Sequence, residues 1–161
     1  STVSVENINS AEVLKSGGFG NRPQQGSYRR QERDGQIWIL AEHDGYKPTF
    51  GIIHRRRLHL DGTGSSLRGE DVLLGKGGRK FASRFHLHPA VRASLIKGGQ
   101  AVLLRLASGE GWRFQAKGGV INLQDSVYLG AGDRIKRTLQ IVVSAGTNDG
   151  ETLIKWMVAR L

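Results

Sequence analysis

Three short blocks hold the side chains of this chain that could do chemistry. They are His43-Asp44, the run Arg55-Arg56-Arg57 between His54 and His59, and the pair His86-x-His88. Histidines two apart on a strand point the same way, so two neutral imidazoles there can bind a divalent metal. Arg84 shares that face, however, and a fixed cation opposes a metal, so a hydrogen-bonded polar outer face is the competing reading. His43 ends the strand-like run Q-I-W-I-L-A-E and precedes Gly45-Tyr46, at a rim where functional side chains collect. Its imidazole could ligate a metal, orient a carboxylate or act as a general base. Alternatively, Asp44-Gly45 makes a tight turn and Tyr46 caps the core. In the arginine run, alternation sends at most two guanidinium groups to one side, where they would grip carboxylate or sulfate. Cross-strand pairing with Glu70-Asp71 competes and is favoured, because G-E-D is the only acidic pair nearby.

Other chemistries are excluded by composition. The chain of 161 residues has no cysteine, which removes disulfides, thiolate metal sites and Cys nucleophiles. It has no nucleophile elbow, phosphate loop or pair of catalytic carboxylates. The glycines of G-K-G-G lie between strands and are turn residues. No self-contained active site can be assembled. A net charge of +10 favours a polyanionic partner: nucleic acid, an anionic polysaccharide or an acidic domain. Nucleic acid lacks support beyond charge, since there is no helix-turn-helix pattern, zinc-ligand spacing or aromatic RNP-type strand. Trp38, Trp112 and Trp156 sit in apolar strand contexts and read as core. No apolar run is long enough to span a membrane, and the first residues lack a signal-peptide pattern.

The elements that must position these groups are strands. Alternation with period two covers 2–6, 28–33, 36–43, 49–60, 67–74, 80–88, 91–96, 101–106, 112–116, 120–129, 138–144 and 152–159. Asp34-Gly35 is a two-residue hairpin signal, and 23 glycines punctuate the remainder. About a dozen short strands at roughly ten-residue spacing predict an all-β, antiparallel two-sheet sandwich with jelly-roll-like topology. Residues 1–161 read as one domain. Because T-V-S-V already alternates at the start, Ser1 reads as a cut inside a longer protein. Residues 10–16 are the best helix candidate, with Ser10 as N-cap, and 17–26 the best candidate for a mobile or functional loop. On strand 49–60 the apolar phase changes part-way, which implies a groove-facing segment or a bulge.

The blocks A-E-H-D-G-Y, H-R-R-R-L, L-R-G-E-D-V-L and R-F-H-L-H-P, followed by S-G-E-G-W-R-F, S-V-Y-L-G and Q-I-V-V-S, run in order along nearly the whole chain. This series resembles the C-terminal β-sandwich domain of heparinase II/III-like polysaccharide lyases, particularly alphaproteobacterial ones. The resemblance implies an N-terminal (α/α) toroid carrying most of the catalytic residues, with the sandwich walling one side of the cleft. It implies β-elimination from a uronic acid: a base takes the C5 proton, an acid, often Tyr, protonates the leaving oxygen, and a cation or amide neutralises the carboxylate. It further implies an acidic, uronic-acid-containing polysaccharide as partner and a periplasmic or cell-envelope location. A catalytic histidine of the family would fall just before Ser1. Some members hold a structural zinc with two histidines and an aspartate, so zinc or calcium is the ion to consider. His43 best suits one ligand position, while Phe19 stands where the acidic ligand would fall. The expected substrate-binding residues are His43, Tyr46, Arg55 and Arg57, with the fragment inactive alone. A carbohydrate-binding or domain-docking module without chemistry is the alternative.

Overall fold

The structure, a computed structural model, describes residues 2–130 and 134–161; the expectation about Ser1 therefore lies outside the described residues. Among the described residues there are twelve strands: β1 (Thr2–Val5), β2 (Gly26–Arg33), β3 (Gln36–Tyr46), β4 (Ile52–Leu60), β5 (Ser66–Gly75), β6 (Lys80–His86), β7 (Arg92–Ile96), β8 (Ala101–Arg105), β9 (Gly111–Lys117), β10 (Val120–Tyr128), β11 (Lys136–Gly146) and β12 (Gly150–Arg160). They form two antiparallel sheets, a small one ordered β1-β6-β11-β10 and a large one ordered β2-β3-β4-β5-β12-β9-β8-β7. The expected two-sheet sandwich is therefore present.

Alternation decides what lies between the sheets. Phe81 and Phe85 of β6, Ile141 and Val143 of β11, and Val3 and Val5 of β1 face Leu73 of β5, Ile154 and Trp156 of β12 and Phe114 of β9. Trp156 packs edge-on against Phe85 at 4.8 Å, and Phe85 lies 5.0 Å from Phe114. Each such buried side chain contributes about 1.5–3 kcal/mol relative to exposure, so this aromatic centre dominates the cohesion of the two layers. Trp156 is core as expected and Trp112 packs against it, but Trp38 is not: it is 38% exposed on the outer face of the large sheet. The reason is register, since Trp38 lies opposite His59 rather than in phase with the inward His54 and Leu58.

Two local expectations are corrected. Strand 49–60 does not start at Thr49: Lys47–Phe50 is a single helical turn, favoured by Pro48 and ended by Gly51 at φ +68°. No helix forms at 10–16. Instead Leu14 N–H donates to Gly18 O, Glu12 N–H to Asn21 O and Gly20 N–H to Glu12 O, closing a small hairpin around Gly17 at φ +87°. Two turns of helix have too few internal bonds to outcompete this pairing. The segment that follows is tied down, because Gln24 and Gln25 N–H both donate to Asp44 Oδ1.

Candidate functional site

The polar centre of the molecule lies where β3, β4, β5 and β6 meet. His43 and His54 are directly opposed on β3 and β4, as are Arg56 and Asp71 on β4 and β5. Opposed residues project to the same side, so all four point into the space between the sheets. The register of β3 slips between His43 and Tyr46, a bulge that brings Tyr46 to the same inward face as His43, and Gly45 N–H donates to His43 Nδ1 at 3.2 Å.

That single bond sets the protonation pattern of the chain of groups behind it. With Nδ1 of His43 accepting, its proton is on Nε2, which donates to His54 Nδ1 at 3.1 Å. The His54 proton is then on Nε2 and donates to Asp71 Oδ1 at 2.9 Å. Burial, then the neighbouring His54, pushes His43 from its ordinary 6.5 down to about 4, so it is neutral at pH 7. Asp71 has no exposed surface. Burial alone would raise its carboxyl, but hydrogen bonds from His54 and Arg56 outweigh this and hold it below the usual carboxylate range.

Asp71 is saturated. Arg56 grips it through Nε to Oδ1 at 2.6 Å and Nη2 to Oδ2 at 3.0 Å, and Oδ2 also accepts from Ser83 Oγ at 2.9 Å and Trp156 Nε1 at 3.1 Å. Gly69, two residues before Asp71 on the same face, lets this happen. A Cβ at Gly69 would lie 2.1 Å from the Trp156 ring, so glycine is what allows the indole to lie flat and reach Asp71.

The four sequence-derived site residues are divided between two faces. Tyr46 is 1% exposed, and its hydroxyl donates to Val3 O at 2.5 Å; burial pushes its pKa up to about 12. His43 lies inward beside it, with ring centroids 5.7 Å apart. Arg55 and Arg57 point to the opposite face, where Arg55 pairs with Glu42 at 2.7 Å and Arg57 with Glu70 at 3.1 Å. The cross-strand pairing of the arginine run with Glu70-Asp71 is present for Arg56 and Arg57, whereas Arg55 finds Glu42. His86 donates to or accepts from Ser126 at 2.8 Å, on a face where Arg84 bonds Ser4; burial, with Arg84 nearby, lowers the His86 pKa. This is the polar outer network rather than a metal pair.

The residues do not fit a zinc or calcium ion. No cluster of three His, Asp or Glu ligands exists among the described residues. The aspartate nearest the two histidines is on the far side of His54 and already accepts four partners. Sequence reasoning missed His54, Arg56, Asp71, Ser83, Trp156 and Gly69 as one unit. The signal was available in the phase of β5, which places a carboxylate between Gly69 and Leu73 on an apolar face and so demands buried donors.

A family model described as heparinase II/III-like, C-terminal, matches residues 1–157. The chain belongs to this family. This heparinase II/III-like domain is 41% identical, over 95 residues, to the FtsZ-localized protein C of Caulobacter vibrioides, an alignment covering 52% of the chain and 16% of that protein. Its fold matches the heparan sulfate lyase HepC of Pedobacter heparinus with a TM-score of 0.78 at 12% identity, covering 99% of this chain and 23% of that one. It likewise matches a heparinase III structure with a TM-score of 0.77 at 12% identity, over 99% and 23% of the two chains. The domain thus spans less than a quarter of the length of these relatives. No helix among the described residues is long and apolar enough to cross a membrane.

Proposed function

We propose that this domain is the accessory C-terminal sandwich of a polysaccharide lyase, acting on uronic-acid-containing glycans beside an N-terminal (α/α) toroid that supplies the β-elimination chemistry. The observation that carries this reading is the closed polar network. Every nitrogen of His43 and His54 is engaged, and Asp71 accepts four donors, so none of these groups is free to take a C5 proton. The Tyr46 hydroxyl faces Val3 instead of a cleft. The network would instead hold the His43 rim rigid, while Arg55 and Arg57 present guanidinium groups to glycan carboxylates. A periplasmic or cell-envelope location accords with such a substrate.

The test follows the ultraviolet absorbance of unsaturated uronic acids while the full-length protein is incubated with heparan sulfate, alginate and other acidic glycans, beside residues 1–161 alone. A rising signal from the full-length protein with a flat trace from 1–161 is expected. A second reading is favoured by one observation: the relative matched at 41% identity, over 52% of the chain, is described as FtsZ-localized and not as a lyase. In that reading the domain is a carbohydrate-binding or docking module without chemistry, and flat traces on every glycan would put it first.

A further inference from the structure

The outer face of the large sheet, opposite the buried network, has its own constellation. In the register of β3, β4, β5, β12 and β9, Trp38 lies opposite His59, Arg57 opposite Glu70, Glu70 opposite Lys155, and Lys155 opposite Lys117. Directly opposed residues share a side, so these groups form one continuous surface crossing five strands. They line an open trough of about 1140 Å³, to which the turn 97–100 also contributes. Four interstrand steps make it roughly 19 Å across, longer than one sugar ring needs.

Its charge is one-sided. Five cations line it, Arg57, Arg68, Lys97, Lys117 and Lys155, against the single carboxylate of Glu70. Glu70 is shared between Arg57 at 3.1 Å and Lys155 at 3.3 Å, and among the described residues Arg68, Lys97 and Lys117 have no acidic partner. The trough also holds a fixed aromatic ring. Trp38 stacks on His59 with centroids 5.0 Å apart and an interplanar angle of 23°, and His59 is in turn bonded to Gln36 at 2.9 Å.

We propose that this trough is a binding site for an extended acidic glycan. Arg57, Arg68 and the three lysines would meet its carboxylate or sulfate groups, and Trp38 would pack against a sugar face. Three features favour a glycan over other polyanions. Glu70, Gln100 and Gln115 place hydrogen-bond acceptors among the cations, which sugar hydroxyls can use and a phosphate backbone cannot. One ring, half covered by a histidine, is no ladder for stacking successive bases. The site is a sheet face and not an open edge, so an acidic peptide could not add to it as a strand. This inference deepens the proposed function by naming a glycan surface, but it does not require the lyase chemistry.

The experiment titrates the full-length protein with size-defined heparin and alginate oligosaccharides, a neutral dextrin and single-stranded DNA, read by calorimetry and tryptophan fluorescence. Two variants are compared with wild type, Arg68→Glu/Lys117→Glu and Trp38→Ala, each checked for an unchanged thermal melt. The expected result is binding of the acidic oligosaccharides, weakened by about tenfold or more in the charge-reversed variant, with dextrin inert. Trp38→Ala should weaken binding and abolish the fluorescence response. Unchanged affinity in both variants, or equal affinity for DNA, would overturn the proposal. No glycan binding by the full-length protein, with Trp38 shielded from quencher, would also overturn it and identify the face as a surface for another domain. The absorbance assay is scored separately, so a failed trough and a failed lyase assignment are distinguishable.

Discussion

At the scale of single residues, Asp71 is the group on which most others depend. It takes four side-chain donors from β4, β6 and β12 in a site with no solvent exposure. Removing it strands Arg56 and His54 inside the molecule, so Asp71→Ala should cost about 3–5 kcal/mol, measured by denaturant unfolding. Asp71→Asn should cost less but still destabilise, because a neutral amide loses the charge-assisted bonds to Arg56. His43 makes a separate prediction about pH. Its pKa falls from 6.5 unfolded to about 4 folded, so the unfolded chain binds the extra proton in that window. Its contribution to stability is thus complete above pH ~6.5, declines as pH falls towards ~4, and changes no further below that. Thermal melts of wild type and His43→Gln should diverge above pH 6.5 and converge near 4. A constant difference between them across that range would refute the assignment of a neutral, half-buried His43.

At the scale of elements, the decisive features are a glycine and a bulge, neither of which any propensity scale rewards. Gly69 on β5 admits the Trp156 ring of β12 to a distance no side chain would allow. Gly69→Ala should therefore destabilise by about 1–3 kcal/mol through overpacking, and should shift Trp156 emission as its N–H leaves Asp71. A normal emission spectrum with full stability would mean the indole has room that this geometry denies it. The β3 bulge between His43 and Tyr46 links the sandwich to the segment before β2, since Asp44 accepts from Gln24 and Gln25. Those backbone bonds also lower the Asp44 pKa. Asp44→Ala should speed amide exchange at Gln24 and Gln25 while leaving β4 and β5 protected. The strand positions were legible in the sequence because period two is a local signal. The bulge, the missing helix at 10–16 and the helical turn Lys47–Phe50 were not, because each depends on bonds to distant backbone or on one proline and one glycine acting together.

At the scale of the whole molecule, the two sheets are joined by both kinds of force. The aromatic centre of Phe85, Phe114 and Trp156 spans them, and so does the bond from Ser83 on β6 to Asp71 on β5. Unfolding should thus be a single transition, with tryptophan fluorescence and far-ultraviolet dichroism superimposable. Separate midpoints would show that the sheets melt independently. The large sheet has one largely apolar face buried in the sandwich, with the His54–Arg56–Asp71 network set into it, and one basic face turned outward, and β4 supplies groups to both through His54-Arg55-Arg56-Arg57. The sequence by itself determined the all-β class, the strand series, the family resemblance, the basic charge and the alternation of the arginine run, because these are properties of composition and of neighbours along the chain. Only the tertiary structure decided that Asp71 gathers His54, Arg56, Ser83 and Trp156, that Tyr46 is committed to the core, and that Trp38 shares a trough with Arg57. Each of those outcomes rests on cross-strand register and on which sheet covers which face, and neither is encoded within any one segment.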